Sequence, residues 1–546
     1  MVTKNFGLRA GMSLSPRLRT LLGVVLCFLS FWCATAAAGV VQDPYKAAFS
    51  TARHSKLKEL DGPFASGQEV TRACLHCHTE AASQVMKTTH WTWQYAPKDA
   101  RRTYGKQHVT NAFCGSVQSN WKLCARCHVG YGWKDPEVVG SSEEQVDCLV
   151  CHEQTGNYRK YPYGYAVLMS KGEPILIPDL PAMAHSVARS TRHNCGVCHF
   201  HGGASDGAKH GDLDSSLVTP GRNVDVHMAK DGLNFNCSVC HTTQEHQIAG
   251  SRYAMKAHDT RGIKRPGHVD NTLSSCESCH GATSHRSQPL LNDHTYRIAC
   301  QTCHIPLYAR GGVKTKTSWD WSQAGRPARD NKLPPEPAEV AATHPATYSR
   351  QHGVITWGEN LVPQYAWFDG QVDYTLLHDK IDDTSPVPLN RISGRHGDGK
   401  SRIWPFKVMK SKMPYDPVNK NMVINHAVVD SVEDKEAFYR SFDWSRSVAA
   451  GMKSPGAPPF SGQVGFVDAT MYFPLTHMVA PKESALQCRD CHDPNSRLKD
   501  LTDFYLLGRD SSPWIRRLGG LLVLLTLVSV VIHGALRILL PGLQRR

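Results

Sequence analysis

The sequence predicts a mainly α-helical chain with extensive irregular loops and little β-sheet, ending in one transmembrane helix. Three observations support this prediction. One short cysteine–histidine pattern recurs eight times, Gly (43) and Pro (32) are frequent, and hydrophobic residues make up only 41% of the 546 residues. A chain of this length usually contains more aliphatic material, so we expect bound groups to fill much of its interior.

The N-terminal region has the three parts of a secretory signal. Four basic residues precede the apolar run 21–31, and small residues ending at Ala38 follow it. We predict a signal peptide over residues 1–38, cleaved after Ala38, and therefore a mature chain that works in the periplasm. An uncleaved anchor helix is the alternative.

A second apolar run covers residues 518–540 near the C-terminus. Residues 518–532 carry no charge, and with Arg537 extended toward the membrane surface the run is long enough to cross a bilayer. We predict a transmembrane anchor within 512–546 that holds a periplasmic body, residues 39–511, at the inner membrane.

The repeated pattern is Cys-x-x-Cys-His. Two thiols three positions apart can add to the two vinyl groups of one haem, and the next histidine can then bind the iron. A zinc site or a disulfide scaffold would explain neither the histidine after every second cysteine nor the secreted setting. We therefore predict a multihaem cytochrome c fold built around eight covalently bound c-type haems. The cysteines are Cys74, Cys77, Cys124, Cys127, Cys148, Cys151, Cys195, Cys198, Cys237, Cys240, Cys276, Cys279, Cys300, Cys303, Cys488 and Cys491, and the proximal ligands are His78, His128, His152, His199, His241, His280, His304 and His492.

The motifs are unevenly distributed. Seven lie within residues 74–304 and the eighth at 488–492, separated by a segment, 305–487, that is rich in Trp, Tyr and Pro. We expect this segment to wrap the haem array and to supply ligands or a subunit contact within a homo-oligomer. The net charge of +14 does not indicate nucleic acid, because the sixteen propionates of eight haems would outweigh it.

A haem that only transfers electrons binds a second histidine on the other face of its iron. Each candidate could instead be a surface histidine or a propionate partner. His246 and His285 end a shared pattern, Cys-x-x-Cys-His-x-x-x-x-His, and we expect each to bind a neighbouring haem. The candidate distal ligands are His54, His90, His227, His246, His285, His426 and His477, with His294, His352 and His396 as substitutes.

Two residues do not fit this pattern. Lys209 lies in the glycine-spaced stretch GASDGAKHGDLDSS after His199; as a neutral amine it could bind iron, or it could pair with Asp206, Asp212 or a propionate. Cys114 is the only cysteine of the predicted mature chain outside the motifs. An unpaired thiol in an oxidising compartment is either buried and inert or chemically used, here to attack or hold a sulfur substrate.

The motifs, together with GYGWKD, VDCLVCH, DGAKHGDLDSS, DGLNFNCSVCHTTQEHQIAGSRY, ACQTCHIP and THMVAPKESALQC, resemble the octahaem tetrathionate reductase family from about His54 into the C-terminal helix. The resemblance implies one catalytic haem, bound through Cys124, Cys127 and His128. It further implies Lys209 as the distal ligand of that haem, with Asp206 and Cys114 lining the pocket. No Cys-x-x-Cys-Lys motif occurs, which separates the chain from pentahaem nitrite reductases.

We therefore expect a reductase in which seven bis-histidine haems deliver electrons to a lysine-ligated haem. The substrate would be a small inorganic anion, tetrathionate, and similar enzymes also reduce nitrite and hydroxylamine. The alternative function is a non-catalytic electron conduit between a quinol-oxidising membrane partner and another reductase. His533, in the apolar run, could bind a b haem shared with a cytochrome b or quinol-oxidising partner, or it could make a polar helix contact.

Overall fold

This computed structural model describes residues 52–96, 102–110, 115–134, 142–171, 173–203, 205–253, 275–281, 283–326 and 347–539. The predicted signal peptide, residues 1–38, and Cys114 lie outside the described residues.

Most of the helices in the described ranges are only one or two turns long. They are α1 Gly67–Leu75, α2 Ala81–Met86, α3 Thr89–Thr92, α4 Trp121–Cys124, α5 Leu149–His152, α6 Leu180–His185, α7 Arg192–His199, α8 Cys237–Cys240, α9 Glu277–His280, α10 Pro289–His294, α11 Cys300–His304, α12 Phe438–Ser441, α13 Trp444–Gly451, α14 Cys488–His492 and α15 Pro513–Leu539.

Each motif lies on one of these short helices or at the end of one, as the sequence predicts. The helices α7 and α14 begin with capping boxes, in which Thr191 pairs with Asn194 and Gln487 with Asp490. A capping box satisfies backbone N–H groups that the first turn leaves without partners. Isolated helices of this length are marginal in water, so their stability depends on what packs against them.

The predicted scarcity of β-sheet is wrong for the segment between the seventh and eighth motifs, where an eight-stranded sheet forms. With the strands numbered along the chain and bounded as given at the end of this paragraph, six of them follow the order β10-β14-β12-β5-β7-β6. The other two, β8 and β13, also pair with β12. Smaller sheets pair β1 with β2, β3 with β4, and β9 with β11. The strands are β1 Leu168–Ser170, β2 Glu173–Leu176, β3 Thr243–Gln244, β4 Gln247–Ile248, β5 Thr315–Asp320, β6 Tyr348–Ser349, β7 Gly353–Gly358, β8 Gln364–Phe368, β9 Val372–Tyr374, β10 Val387–Pro388, β11 Asn390–Ile392, β12 Arg402–Asp416, β13 Asn421–Met422 and β14 Gly465–Pro474.

The long strand β12 forms the centre of this sheet. It runs antiparallel to β14 from the Phe406–Pro474 pair to the Tyr415–Gly465 pair and parallel to β5. Residues 402–407 of this strand are all buried. Buried and more exposed residues alternate only in its middle, where Met409 is buried and Lys410 is exposed. Continuous burial is typical of a central strand and hides the two-residue period from sequence analysis.

The sheet encloses the largest apolar core of the described chain. Phe368, Phe406, Met409, Met471 and Phe473 are each no more than 1% exposed. Full burial of a side chain of this size contributes about 2 kcal/mol. A smaller apolar cluster, which includes Val70, Leu149 and Leu180, packs the short helices around the first and third motifs.

The C-terminal helix α15 is apolar and exposed along its length. Among the described residues it is the one helix long and apolar enough to cross a membrane, by length and composition alone. Trp514, in its first turn, is 77% exposed.

Candidate functional site

Six of the eight motif histidines face a second histidine. Two metal–nitrogen bonds of about 2 Å would separate the centres of two imidazole rings by about 6 Å, so these pairs fit iron ligation from both faces of a haem. The ring centres are 6.1 Å apart for His78 and His54, 6.1 Å for His199 and His90, 6.1 Å for His241 and His477, 5.9 Å for His280 and His227, 6.3 Å for His304 and His285, and 6.2 Å for His492 and His294.

A seventh motif histidine, His152, lies near His246. Burial, followed by the positive charges of His152 and His78, lowers the pKa of His246. The Nδ1 of His246 lies 2.9 Å from Oε1 of Gln84, and the Nδ1 of His152 lies 2.8 Å from the carbonyl of Ala188. When Nδ1 donates to an oxygen, Nε2 keeps its lone pair and can bind a metal.

The same anchoring recurs at other pairs. Nδ1 of His241 lies 2.9 Å from the carbonyl of Ala249, that of His492 3.1 Å from the carbonyl of Leu507, and that of His294 2.9 Å from the carbonyl of Leu290. Burial, followed by His90, lowers the pKa of His199 to about 3, which keeps its imidazole neutral. A neutral imidazole with a fixed ring orientation is the form that binds iron.

The eighth motif histidine, His128, has a different environment. Its ring is stacked on Trp133 at 3.6 Å between centres, and its Nε2 lies 2.6 Å from the carbonyl of Trp91. The side chain is buried, which lowers its pKa to about 3. Among the described residues no histidine ring stacks against it. Its role as a proximal ligand stays a prediction.

Neighbouring residues of the helix α3 contact two different motif histidines. His90 faces His199 of the fourth motif, whereas the carbonyl of the next residue, Trp91, contacts His128 of the second motif. The second and fourth motifs are therefore neighbours. Cys127 and Cys198 confirm this, since Sγ of Cys198 lies 3.9 Å from the carbonyl of Cys127.

Three further thiol pairs bring other motifs side by side. The Cys148 thiol lowers the pKa of Cys74, and the Cys276 thiol lowers the pKa of Cys300. The Cys195 thiol lowers the pKa of Cys237 to about 7. These contacts join the first motif to the third, the fourth to the fifth and the sixth to the seventh, so haems bound there would lie close together.

Lys209 lies on a loop that the sheet holds in place. The side chain of Lys407 on β12 donates to the carbonyls of Ala208, at 2.9 Å, and Lys209, at 2.8 Å. Thr315 on β5 donates to the carbonyl of Gly207 at 2.7 Å. On either side of Lys209, Gly207 and Gly211 have φ of +63° and +80°, which only glycine adopts readily.

The surroundings of Lys209 favour its neutral form. Burial, followed by the positive charges of Arg252, Lys106 and Lys407, lowers its pKa well below the ordinary value, and the sulfur of Cys127 is also close enough to affect it. Lys209 therefore lies within electrostatic range of the second motif, and also of His199 in the fourth. A neutral amine is the form of lysine that can bind a metal.

Two other residues predicted for this pocket have different outcomes. The carboxylate of Asp206 accepts hydrogen bonds from the backbone N–H of Ser215, at 2.9 Å, and from its hydroxyl. Asp206 thus connects the two ends of the 206–215 loop, and no described contact joins it to Lys209. Cys114 lies outside the described residues, so its role stays a prediction.

His426 is a correction to the predicted distal ligands. Its Nε2 lies 2.9 Å from Asp434 and its Nδ1 2.9 Å from the carbonyl of Ser119, so both ring nitrogens are engaged. The structure instead brings His294, named as a substitute, to His492. The substitutes His352 and His396 pack against tryptophans, Trp319 and Trp367.

Sequence reasoning missed the role of two carboxylates, Asp212 and Asp225, that position proposed haem ligands. Asp212 accepts from the backbone N–H groups of Thr476, at 2.8 Å, and His477, at 3.0 Å. Asp225 accepts from the N–H groups of His227, at 2.8 Å, and Val479, at 3.0 Å. Both aspartates are almost fully buried. Asp212, in the GDLDSS stretch, was visible as an acid in a loop, but its partners Thr476 and His477 lie far away in sequence.

All sixteen motif cysteines are free thiols rather than disulfides. Cysteine pairs available for thioether bonds, together with facing imidazoles, define a multihaem c-type cytochrome. Residues 316–495 match the family model described as bacterial cytochrome c. The octahaem cytochrome c from Shewanella oneidensis, a crystal structure, is 39% identical; the match covers 82% of this chain and 95% of that chain, with a TM-score of 0.69.

The chain therefore belongs to the octahaem cytochrome c family, and the resemblance drawn from its motifs is confirmed. No curated protein matches the chain.

Proposed function

We propose that this chain is a periplasmic, membrane-anchored reductase that carries eight c-type haems and reduces tetrathionate at a lysine-ligated haem. One observation carries the proposal: seven motif histidines lie near a second histidine, whereas among the described residues the ring neighbours of His128 are tryptophans, and Lys209 lies within electrostatic range of Cys127. A site that differs from its seven relatives is where substrate chemistry is expected.

The chain holds each proposed cofactor with its own residues. The sixteen motif cysteines would attach eight haems, and the motif histidines would bind their irons from one side. His54, His90, His246, His477, His227, His285 and His294 would bind from the other side at seven sites, and Lys209 at the eighth. When bound, the haems supply one-electron transfer.

The proposed reaction adds two electrons to tetrathionate, breaks its central sulfur–sulfur bond and releases two thiosulfates. The charges balance, because a dianion and two electrons give two dianions. The cations around Lys209 would attract the substrate. Nitrite and hydroxylamine are smaller alternative substrates for the same site.

The proposal is tested by replacing Lys209 in the full-length holoprotein. Lys209→Ala should change the spectrum of one haem in eight and lower tetrathionate reduction by about 100-fold or more, a typical cost for losing a group from a reacting centre. Lys230→Ala, at an exposed lysine on the next loop, is the matched control. Unchanged spectra and rates in Lys209→Ala would contradict the assignment.

A spectroscopic experiment separates this function from an electron conduit. If one iron is accessible, the ferric spectrum should shift when nitrite, hydroxylamine or tetrathionate is added. No shift with any of the three would favour the conduit. Steady-state assays with reduced methyl viologen as the donor would then rank the substrates.

The membrane anchor is proposed from α15. Its first residue, Pro513, follows closely after Leu507, whose carbonyl contacts His492 of the eighth motif. The anchor would thus hold the eighth motif near the inner membrane, where a quinol-oxidising or cytochrome b partner could donate electrons. His533, exposed on α15, would bind a b haem shared with that partner.

Deleting residues 512–546 tests the anchor. The truncated protein should move to the soluble periplasmic fraction and keep its c-type haems, because its motifs all precede the deletion. Retention in the membrane fraction would contradict anchoring by α15.

A further inference from the structure

Two cations beside Lys209 stand out because they have no acidic partner. Within the described ranges neither Arg252 nor Lys106 forms an ion pair, whereas Arg102, which also contacts Tyr374, pairs with Asp379. Positive groups that are held near a reacting centre without a counter-charge attract anions.

Arg252 is fixed by aromatic side chains rather than by a carboxylate. Its Nε donates to the hydroxyl of Tyr374 at 3.2 Å. Its guanidinium carbon lies 5.6 Å from the ring centre of Tyr253, 5.5 Å from that of Tyr374 and 5.7 Å from that of Phe473. The rings hold the guanidinium while its terminal N–H groups make no described hydrogen bond to protein.

Phe473 connects Arg252 to the lysine loop. The ring of His210, the residue after Lys209, lies 5.6 Å from the ring of Phe473, and Nζ of Lys407 lies 5.9 Å from it. Arg252, Lys407 and the Lys209 loop therefore converge on one aromatic side chain. After burial, Arg252 is the strongest influence that lowers the pKa of Lys209.

Lys106 is the second cation within electrostatic range of Lys209. It is exposed, and its Nζ lies 4.0 Å from the ring centre of Trp93. The Trp93 ring in turn lies 5.3 Å from that of His128 in the second motif. Lys106 thus places an exposed cation next to the ring that contacts His128, whereas Arg252 is a half-buried cation near the lysine loop.

We propose that Arg252 and Lys106 form the oxyanion-binding part of this site, with Arg252 as the residue that selects sulfur oxyanions by their charge and shape. The inference rests on the proposed reductase function. A guanidinium presents two parallel N–H donors, which match two oxygens of a sulfonate group. Tetrathionate carries such a group at each end, nitrite carries one negative charge, and hydroxylamine is neutral near pH 7.

The test measures binding without turnover. Fully oxidised holoprotein, which holds no electrons for reduction, is titrated calorimetrically with tetrathionate, nitrite and hydroxylamine. Arg252→Gln should weaken tetrathionate binding by about 10- to 100-fold, the range for loss of a charge-assisted contact, and should weaken nitrite binding less. Hydroxylamine binding should change by less than about twofold, because it brings no charge to Arg252.

Two further variants sharpen the result. Arg252→Lys keeps the charge but not the paired donors, so its tetrathionate binding should be intermediate. Lys106→Gln, at an exposed position, should weaken tetrathionate binding several-fold without affecting folding. Arg350→Gln is the matched control, since Arg350 also lies over an aromatic ring, that of Phe442 at 3.9 Å, but in a different part of the sheet region.

Several results would overturn the inference. Equal weakening for all three substrates, or unchanged tetrathionate binding, would show that Arg252 does not select anions. A shifted haem reduction potential in Arg252→Gln with unchanged binding would assign the arginine to a haem propionate instead. If the wild-type protein reduces none of the three substrates, the proposed function itself fails. This outcome is seen in wild-type turnover, so it is distinct from a failure of the Arg252 inference, which is seen in the binding constants of the variants.

Discussion

The motif region, residues 74–304, and the sheet region, residues 315–474, differ in what fills their interiors. The sheet region has a continuous apolar core around Phe406 and Met471. The motif region has short helices, and its facing imidazoles leave about 6 Å between ring centres. The motif region also has a smaller apolar cluster, around Val70, Leu149 and Leu180, but the spaces between its facing imidazoles are where we propose that haems bind.

The difference shows how a rigid part of the chain can position a chemically special one. Three sheet residues, Thr315, Lys316 and Lys407, bind backbone carbonyls of the loop that carries Lys209. The loop that follows β14 supplies His477, which faces His241. The sheet thus holds the loops of two proposed ligands, the lysine Lys209 and the histidine His477.

The largest expected effect comes from removing the contact between β12 and the lysine loop. Lys407→Met keeps the side chain's length but loses the hydrogen bonds to the carbonyls of Ala208 and Lys209. We expect the free energy of unfolding to fall by about 2 kcal/mol, because buried acceptors lose their donor, and tetrathionate reduction to fall with it. Chemical denaturation and steady-state rates measure the two effects.

Lys410→Met is the control for this variant, because Lys410 is an exposed neighbour on the same strand. If Lys407→Met leaves the haem spectrum and the rate of tetrathionate reduction unchanged, the sheet does not position the proposed Lys209 site.

A second variant pair compares a proposed ligand with a structural histidine. His294→Met should raise the reduction potential of one haem, because methionine is a weaker donor to ferric iron than imidazole. His426→Asn should leave all haem potentials unchanged and lower the free energy of unfolding by about 1 to 2 kcal/mol, through loss of the Asp434 contact. Redox titration of both variants checks this. The reverse pattern would restore His426 as a ligand.

A smaller effect, on the reduction potential of one haem and on the attachment of one loop, is expected where the two regions meet. Asp212 accepts hydrogen bonds from His477 and so makes its imidazole more basic. Asp212→Asn should raise the reduction potential of the His241–His477 haem modestly and weaken the attachment of the 475–480 loop by about 1 kcal/mol. A potential that stays unchanged would show that Asp212 has only a structural role.

The smallest expected effect is a pH dependence of the free energy of unfolding, caused by His426 in the sheet region. Burial lowers the pKa of His426, but hydrogen bonds to the Ser119 carbonyl and the Asp434 carboxylate raise it more, so the net shift is upward. Stability from this raised pKa is fully present below the ordinary histidine pKa, and it is lost as pH rises through the folded value.

Burial raises the pKa of Asp434, but hydrogen bonds from Asp430, His426 and Ala437 outweigh it and lower the pKa to about 2. Asp434 therefore stays ionised, and the ion pair with His426 persists, until the pH falls far below neutral. Raising the pH from 6 to 9 should cost about 1 kcal/mol of unfolding free energy, and Asp434→Asn should remove that component. An unaltered pH profile in Asp434→Asn would contradict the ion pair.

The candidate site was only partly predictable. Cys-x-x-Cys-His spacing identifies each haem motif because the chemistry is local, and Lys209 was visible because its loop resembles a family motif. The exchange of His426 for His294, and the cations Arg252 and Lys106, were not visible. His426 and His294 have no local feature that separates them, and their partners lie far along the chain.

The sheet was missed for a related reason. The central strand β12 is buried on both faces over much of its length, so its sequence lacks the two-residue alternation that identifies a half-exposed strand.

The sequence by itself determined which atoms can attach haem, because thioether and proximal chemistry depends on residues within five positions of one another. Only the tertiary structure decided which distant side chain faces each motif histidine and which cations surround Lys209. Those contacts join residues that are tens to hundreds of positions apart, and they depend on how the sheet packs against the motif loops.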